Sequence, residues 1–461
     1  MPRMRKADAG WVTDPKTGGL PKVAYGKGIY VYDVHGKRYI DASGGPAVYS
    51  LGHGHEEVNA ALKRQLDQIA HGYRYTFTSD ALEELEALIT EACGPNYQDM
   101  VFVTGGSEAV EGALKIALQF HTAQGEQSRR RFISRRRSWH GNTLGALGVS
   151  EFLDRRAAFE GALIEASHLS AANVYRPPAG IAPTDIAKYC AAELAAEIER
   201  LGTERVAAFI FEPVVGAAGG VVPAPPGYAR ALREVCTRYG VLMIADEVMC
   251  GSGRCGTWRA LEHDGVEPDI MAIAKGLGGG YVPLGATVYH KSVADVLFNV
   301  DGGPMTGHTF TGHTLACAAG VAVQKIVKRD GLLARVRKGG ARLMQRLAAE
   351  LADVPEVGDI RGRGYFIGVE FVANSASKAP FPAALGVCSS IVRSAAADGL
   401  LCYPAPANVD GINGDTIILA PPYNTTDEEL EEIAVRFTRA VKTTLIGIRQ
   451  LEVRPLRTKK P

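Results

Sequence analysis

A lysine at the mouth of a buried strand can lose its proton, because burial disfavours the ammonium. The neutral amine can then condense with an aldehyde to form a Schiff base. Lys275 has that setting: the apolar run Ile270-Met271-Ala272-Ile273-Ala274 leads into it, and Gly276-Leu277-Gly278-Gly279-Gly280 follows. Such a run bounded by glycines reads as a buried strand ending in a loop, and in open α/β sheets ligands sit beyond strand ends. A surface lysine on a loop is the plain alternative. Asp246 ends the run Val241-Leu242-Met243-Ile244-Ala245 in the same way. A carboxylate there needs a cationic partner, for which a protonated ring nitrogen would serve; capping the next turn is the competing role. Val101-Phe102-Val103-Thr104-Gly105-Gly106-Ser107-Glu108 reads as strand, tight turn and helix, with Ala109, Ala113, Ile116, Ala117 and Phe120 at helical spacing and Glu111 and Lys115 set for an i,i+4 pair. Free N–H groups of the first turn, with Gly106 and the Ser107 hydroxyl, suit a phosphate; an ordinary serine N-cap fits the same residues. Trp139-His140-Gly141 sets an aromatic beside glycine, fit to stack on a flat ring or to fill a core.

The order of these segments, with Glu212-Pro213-Val214, Asp246-Glu247-Val248, Ala274-Lys275-Gly276 and Thr309-Phe310-Thr311-Gly312-His313, resembles the class III pyridoxal-phosphate-dependent aminotransferases, of the ω-amino acid:pyruvate and 4-aminobutyrate aminotransferase type. The resemblance runs from Gly28-Ile29-Tyr30 to Ala420-Pro421-Pro422. It implies a fold type I transferase of the α/β class, with a large domain built on a mostly parallel sheet and a smaller α+β domain. It implies pyridoxal 5'-phosphate as cofactor, Lys275 as the Schiff-base lysine and proton shuttle, and Asp246 on the pyridinium. It further implies Gly106 and Ser107 at the phosphate, Val248 beneath the ring, Trp139 above it, His140 beside Trp139, and Glu212 near the ring hydroxyl. Thr309 would reach the phosphate from the partner subunit, so a homodimer or higher oligomer is expected, with active sites shared between chains.

One stretch departs from the pattern. Many relatives carry a substrate-reading arginine in a Gly-Leu-apolar-apolar-Arg segment, and an arginine grips a carboxylate with a two-pronged fork. Here the segment is Gly399-Leu400-Leu401-Cys402-Tyr403, followed by the extra loop Ala405 to Asn413. A tyrosine donates one hydrogen bond and no charge. Tyr403, Arg74, Arg361 and Arg363 are therefore the candidates for substrate recognition, with a purely structural role as the alternative for Arg361 and Arg363, since Arg361-Gly362-Arg363-Gly364 resembles a family stretch in the small domain. The expected reaction moves an amino group from an ω- or β-amino acid or a primary amine to pyruvate or 2-oxoglutarate. An aminomutase or a decarboxylating transaminase shares the same lysine and aspartate and stays as the alternative.

The elements that must position these groups follow from periodicity. Strands are expected at 101–104, 131–134, 207–211, 241–246, 270–274 and 284–289, alternating with helices as in a parallel sheet. A long helix is expected from Val321 to Leu351, strands at Asp359 to Phe371 and Thr416 to Leu419, and a last helix from Asp427 to Leu445. With 461 residues, two lobes are expected: a large domain over 56–325 and a small domain over 326–461, with residues 1–55 packing on the latter by resemblance.

Lys and Arg number 51 against 50 Asp and Glu, so the charge balance offers no case for nucleic acid or a membrane surface. The one basic run, Arg129-Arg130-Arg131 with Arg135-Arg136-Arg137, reads as surface near Trp139, with a polyanion site as the minor alternative. The eight cysteines form no C-x-x-C pair and no metal site is expected, which points to reduced thiols in the cytoplasm. Met1-Pro2-Arg3-Met4-Arg5-Lys6 lacks an apolar stretch behind it, so neither secretion nor a membrane span is expected. Gly251-Ser252-Gly253-Arg254-Cys255-Gly256 matches a dinucleotide fingerprint, but leaves room only for a short helix over about 257–263.

Overall fold

The computed structural model describes residue 12 and residues 19–452. The segment Met1 to Lys6 lies outside the described residues. The six expected apolar runs and a seventh, unexpected strand, Ala166–Leu169, form one sheet in the order Asp99–Val103, Gly285–Tyr289, Ile270–Ile273, Leu242–Asp246, Val206–Phe211, Arg131–Arg135, Ala166–Leu169. All neighbours pair parallel except Gly285–Tyr289, which is antiparallel to both of its own. A parallel sheet is covered on both faces, which is why these strands read as unbroken apolar runs. Alternate residues serve the two faces. Leu242 and Ile244 join the core under the Gly106–Ala123 helix, while Met243 and Ala245 join that of the Asp80–Cys93, Ile186–Leu201 and Tyr228–Tyr239 helices. The consequence for chemistry is geometric: Val103, Arg135, Phe211, Asp246 and Ile273 all end at one edge.

Two smaller sheets complete the chain. One joins Val23–Lys27, Tyr30–Asp33 and Arg38–Asp41 to Leu400–Leu401; the other runs Val357–Arg363, Phe366–Phe371, Asp415–Leu419, Tyr403–Pro406. Ile29, Ile40, Leu51 and Val58 share a core with residues from Val323 to Ile448, so the N-terminal strands and the C-terminal third bury one another.

Three expectations are corrected. The single helix Val321 to Leu351 is two, Thr314–Arg329 and Leu332–Glu350, because Gly331 turns left-handed (φ +61°) and breaks the repeat. Asp359 to Phe371 is a hairpin that turns at Gly364 (φ +57°). Among the described residues Glu111 makes no ion pair with Lys115; its carboxylate accepts the Ala146 N–H (3.0 Å), tying its helix to the short helix Leu144–Gly148. The glycine fingerprint at 251–256 leads only into a short 3-10 turn, Ala260–Asp264, with no helix to hold a pyrophosphate.

Candidate active site

Leu242–Asp246 and Ile270–Ile273 are neighbours with Asp246 opposite Ala272, so Asp246 and Lys275 emerge side by side. Lys275 opens a single 3-10 turn at φ +44°, a left-handed conformation that costs an L-residue about 1–2 kcal/mol. Hydrogen bonds from Leu277 N–H to the Ala274 carbonyl and from Gly279 N–H to the Lys275 carbonyl hold it there. Burial pushes the Lys275 amine below its ordinary range, and the charges of Asp246 and Glu212 pull the other way. Strain and desolvation on one side chain fit an amine kept for chemistry rather than for packing.

Asp246 is buried and both of its oxygens are held. Oδ1 accepts the Val248 N–H (3.0 Å), and Oδ2 lies 2.8 Å from His140 Nδ1. A carboxylate can only accept, so Nδ1–H donates. The Ser150 hydroxyl accepts the His140 backbone N–H (2.7 Å), and His140 Nε2 is buried without a partner. His140 thus orients the carboxylate, a role sharper than the neighbour of an aromatic expected from sequence. Ser150, which fixes it, gave no signal in the sequence.

The Gly106–Ala123 helix begins with no side-chain cap, so its first-turn N–H groups stay open; Glu108 turns back to accept both the N–H and the hydroxyl of Thr104 (2.7 Å each). The Ser107 hydroxyl accepts the Asn142 N–H (3.0 Å), joining this turn to the Trp139 loop. A Cβ on Gly106 would stand 2.6 Å from Val248 Cγ1, so glycine is required where the turn meets the residue two beyond Asp246. An uncapped helix start, a buried acid and a desolvated amine at one sheet edge match the phosphate, ring nitrogen and aldehyde of pyridoxal phosphate.

Glu212 follows the Val206–Phe211 strand at the same edge. Oε1 accepts the Trp139 N–H (3.0 Å), Oε2 the Gly216 N–H (2.8 Å), and burial raises its pKa. The Trp139 ring is half-buried and meets Phe152 edge-on at 5.7 Å.

The expected substrate residues fare differently. Arg363 donates to Asp264 (3.3 Å) and the Ala224 carbonyl (3.1 Å), and Arg361 to Asp359, Glu370 and the carbonyls of Gly219, Gly220 and Val221. Both guanidiniums tie strand Val357–Arg363 to the central body, so the reading of Arg363 as a substrate group is withdrawn. Arg74 is exposed over the Tyr75 ring, and its charge is felt at Glu86 and at Tyr289, which pairs with Ile270 at the strand end away from Lys275. This chain does not bring Arg74 to its own site. Tyr403 is half-buried at the start of Tyr403–Pro406, and the Arg155 charge acts on it. Thr309 is exposed on the surface, beside the exposed Phe310. Among the described residues no group of three or more His, Cys, Asp or Glu is placed to hold a metal ion, and no helix is long and apolar enough to cross a membrane.

The family model "Aminotransferase class-III" matches residues 17–441. The uncharacterized aminotransferase YodT of Bacillus subtilis is 39% identical over 421 residues, covering 91% of this chain and 95% of that one. A diaminobutyrate–2-oxoglutarate transaminase of Halomonas elongata is 36% identical over 426 residues, 90% and 89% of the two chains. Among solved structures, an amine transaminase from an uncultivated Pseudomonas species, described as PLP-bound, superposes with a TM-score of 0.88 at 33% identity, covering 97% of this chain and 98% of that one.

Proposed function

This chain belongs to the class III aminotransferase family, whose members depend on pyridoxal phosphate, and on that premise we propose that it moves an amino group from an ω- or β-amino acid or a primary amine to a 2-oxo acid, pyruvate or 2-oxoglutarate. The observation that carries the reading is the convergence of Lys275, Asp246, His140 and the Gly106–Ser107 turn at one sheet edge. The cofactor, when bound, supplies an aldehyde to carry the amino group and an electron-poor ring to accept charge. Lys275 Nζ is the amine that would hold that aldehyde. Once displaced by the donor it would take the proton from the substrate carbon that bears nitrogen and deliver it to the carbon of the former aldehyde, and the reverse for the acceptor; its depressed basicity suits both directions. Asp246, fixed by Val248 N–H and His140, would keep the ring nitrogen protonated. Gly106 and Ser107 would hold the phosphate, with Thr309 of a second chain closing the cradle. Trp139 and Val248 would pack the two ring faces, and Glu212 would border the ring hydroxyl.

Tyr403 is our proposed donor to the substrate carboxylate, with the Arg155 guanidinium supplying charge that the tyrosine lacks. Exposed Tyr73, Tyr75, Phe77, Met305 and Phe310 support a homodimer, because monomers rarely expose so many large apolar side chains together. All eight cysteines are free and buried, which supports a reducing, cytoplasmic compartment. Residues 1–55 and 326–461 form, in our reading, the small domain against a large domain of 56–325.

An amine-donor panel assayed with pyruvate and with 2-oxoglutarate tests the reaction. Keto product that forms only when an acceptor is added is the expected result; isomer formation without an acceptor would mark an aminomutase instead.

A further inference from the structure

Two motifs of the sequence have no task in the reaction. The basic run at 129–137 is absorbed by structure: Arg129 donates to the carbonyls of Val206 and Tyr239, and Arg131 pairs with Glu165. Arg135 lies over the Phe211 and Tyr228 rings, and Arg137 pairs with Glu151. The glycine-rich stretch Gly251 to Gly256 differs, because its one cation is buried without a counter-charge. Arg254 is 0% exposed, and among the described residues it forms no ion pair. Burying a charge that no opposite charge answers is costly, so the fold keeps this one for a reason. Backbone holds it: Nη1 donates to the carbonyls of Pro421 (2.6 Å) and Tyr365 (3.3 Å), and Nη2 donates to that of Tyr49 (3.1 Å). The guanidinium lies 4.7 Å from the centre of the Tyr423 ring.

The segments it gathers are those that press on the Lys275 turn. The Ser50 hydroxyl donates to the Gly276 carbonyl (2.9 Å), and the Ser50 carbonyl accepts the Tyr423 N–H (2.7 Å). The Tyr423 hydroxyl donates to the Ser252 carbonyl (3.0 Å) and lies 2.8 Å from where a Cβ on Gly276 would stand. The Tyr49 ring would meet a Cβ on Gly280 at 2.5 Å. Gly276 and Gly280 bound the run that follows Lys275, so the left-handed lysine turn is packed from the N-terminal segment, the C-terminal segment and the 251–256 loop at once. Arg254 is the side chain that ties these three together.

We propose that Arg254 is a positioning residue for Lys275: its guanidinium draws the 49–50 and 421–423 segments against Gly276, holds the lysine turn in its left-handed conformation, and sets a permanent positive charge beside it. The proposal rests on the reading of Lys275 as the lysine that holds the cofactor. The electrostatics agree in direction. Burial is the largest influence on the Lys275 amine; among the charges, Asp246, Glu212 and Cys250 keep its proton on and Arg254 drives it off. A guanidinium keeps its own proton in such a place, whereas an ammonium there would not match three carbonyls with one planar fork.

The test uses the cofactor-loaded full-length enzyme. It reads the pH midpoint of the visible absorbance of the bound cofactor, its visible circular dichroism, and turnover. Arg254→Met removes both charge and clamp: the midpoint should rise by about one pH unit, because the protonated form loses a repelling neighbour. Its circular dichroism should shrink, and turnover should fall about tenfold or more as the turn relaxes. Arg254→Lys keeps the charge and loses the fork, so the midpoint should stay while circular dichroism and turnover fall. Tyr423→Phe keeps the ring under Arg254 and loses only the hydroxyl set against Gly276; it should lower circular dichroism and turnover without moving the midpoint. A merely structural cation would lower the unfolding temperature in these variants and leave both optical signals as they are, which would overturn the proposal. An unmoved midpoint in folded Arg254→Met would overturn it too. Should that variant fail to fold, wild-type circular dichroism and turnover in Arg254→Lys and Tyr423→Phe would do the same. Borohydride fixation guards the premise: wild-type enzyme with no adduct on Lys275 would sink the reading of the lysine itself, whereas an intact adduct with unchanged optical signals sinks only the role of Arg254.

Discussion

Lys275 concentrates the account at the scale of the residue. It is strained, desolvated and set beside Asp246, and Lys275→Ala should lower turnover by about 10³-fold or more while the protein still takes up cofactor. Steady-state kinetics beside cofactor titration checks this, and near-normal turnover would remove the assigned role. Glu247 carries a pH signature. Its buried carboxyl accepts the Ala260 and Leu261 N–H groups, and burial raises its pKa from 4.5 to about 7. The folded state therefore binds this proton more tightly than the unfolded chain. The stability so gained is full below pH 4.5, falls as pH rises from 4.5 to about 7, and is gone above, an effect on the order of 3 kcal/mol. Glu247→Gln should flatten that part of the stability profile in denaturant titrations, and an unchanged slope would contradict it. The positions of Lys275 and Asp246 stood out because each ends an apolar run, and that of Ser107 because it follows the glycine turn after another. The task of His140 did not, because its partner Asp246 lies 106 residues away in sequence. Arg361 and Arg363 stayed open between a substrate and a structural role for the same reason, since Glu370 and Asp264 claim them only through the tertiary fold.

At the scale of the element, the parallel strands were readable because burial on both faces leaves continuous apolar runs. The edge strand Ala166–Leu169 was not: it is short, only Leu169 is buried, and a histidine and a serine interrupt its pattern. The break at Gly331 was missed because each helix is amphipathic on its own and the buried face slips by only one residue between Val327 and Leu332. A Cβ there meets no atom within 4 Å, so Gly331→Ala tests conformation alone and should cost about 1 kcal/mol in equilibrium unfolding. No loss would show that the left-handed turn is not needed. Gly106→Ala tests close approach instead. The 2.6 Å clash with Val248 Cγ1 should push the helix start off the cofactor seat and weaken cofactor binding at least tenfold, whereas unchanged affinity would detach this turn from the phosphate.

At the scale of the whole molecule, the apolar surface makes a single chain look incomplete. Tyr73 and Tyr75 meet at 5.4 Å, and a Cβ on Gly307 would lie 3.6 Å from the Tyr75 hydroxyl, so the segments around 75 and 307 form one face. Light scattering after gel filtration should return at least twice the chain mass, and Phe310→Arg should lower both that mass and activity. A fully active monomer would dismiss the shared site and the role given to Thr309. Chain length suggested two lobes, but the packing of the N-terminal segment on the C-terminal part was legible only through resemblance: composition along the chain does not reveal that Ile40 shares a core with Phe437.

The central claim is that one amine, Lys275 Nζ, holds the cofactor. Borohydride reduction of the cofactor-loaded enzyme, followed by proteolysis and mass spectrometry, asks this directly. The account predicts the reduced pyridoxyl mass on the peptide that contains Lys275 and on no other lysine, and none in Lys275→Ala. An adduct on a different lysine, or a protein that takes up cofactor yet yields no adduct, would contradict it.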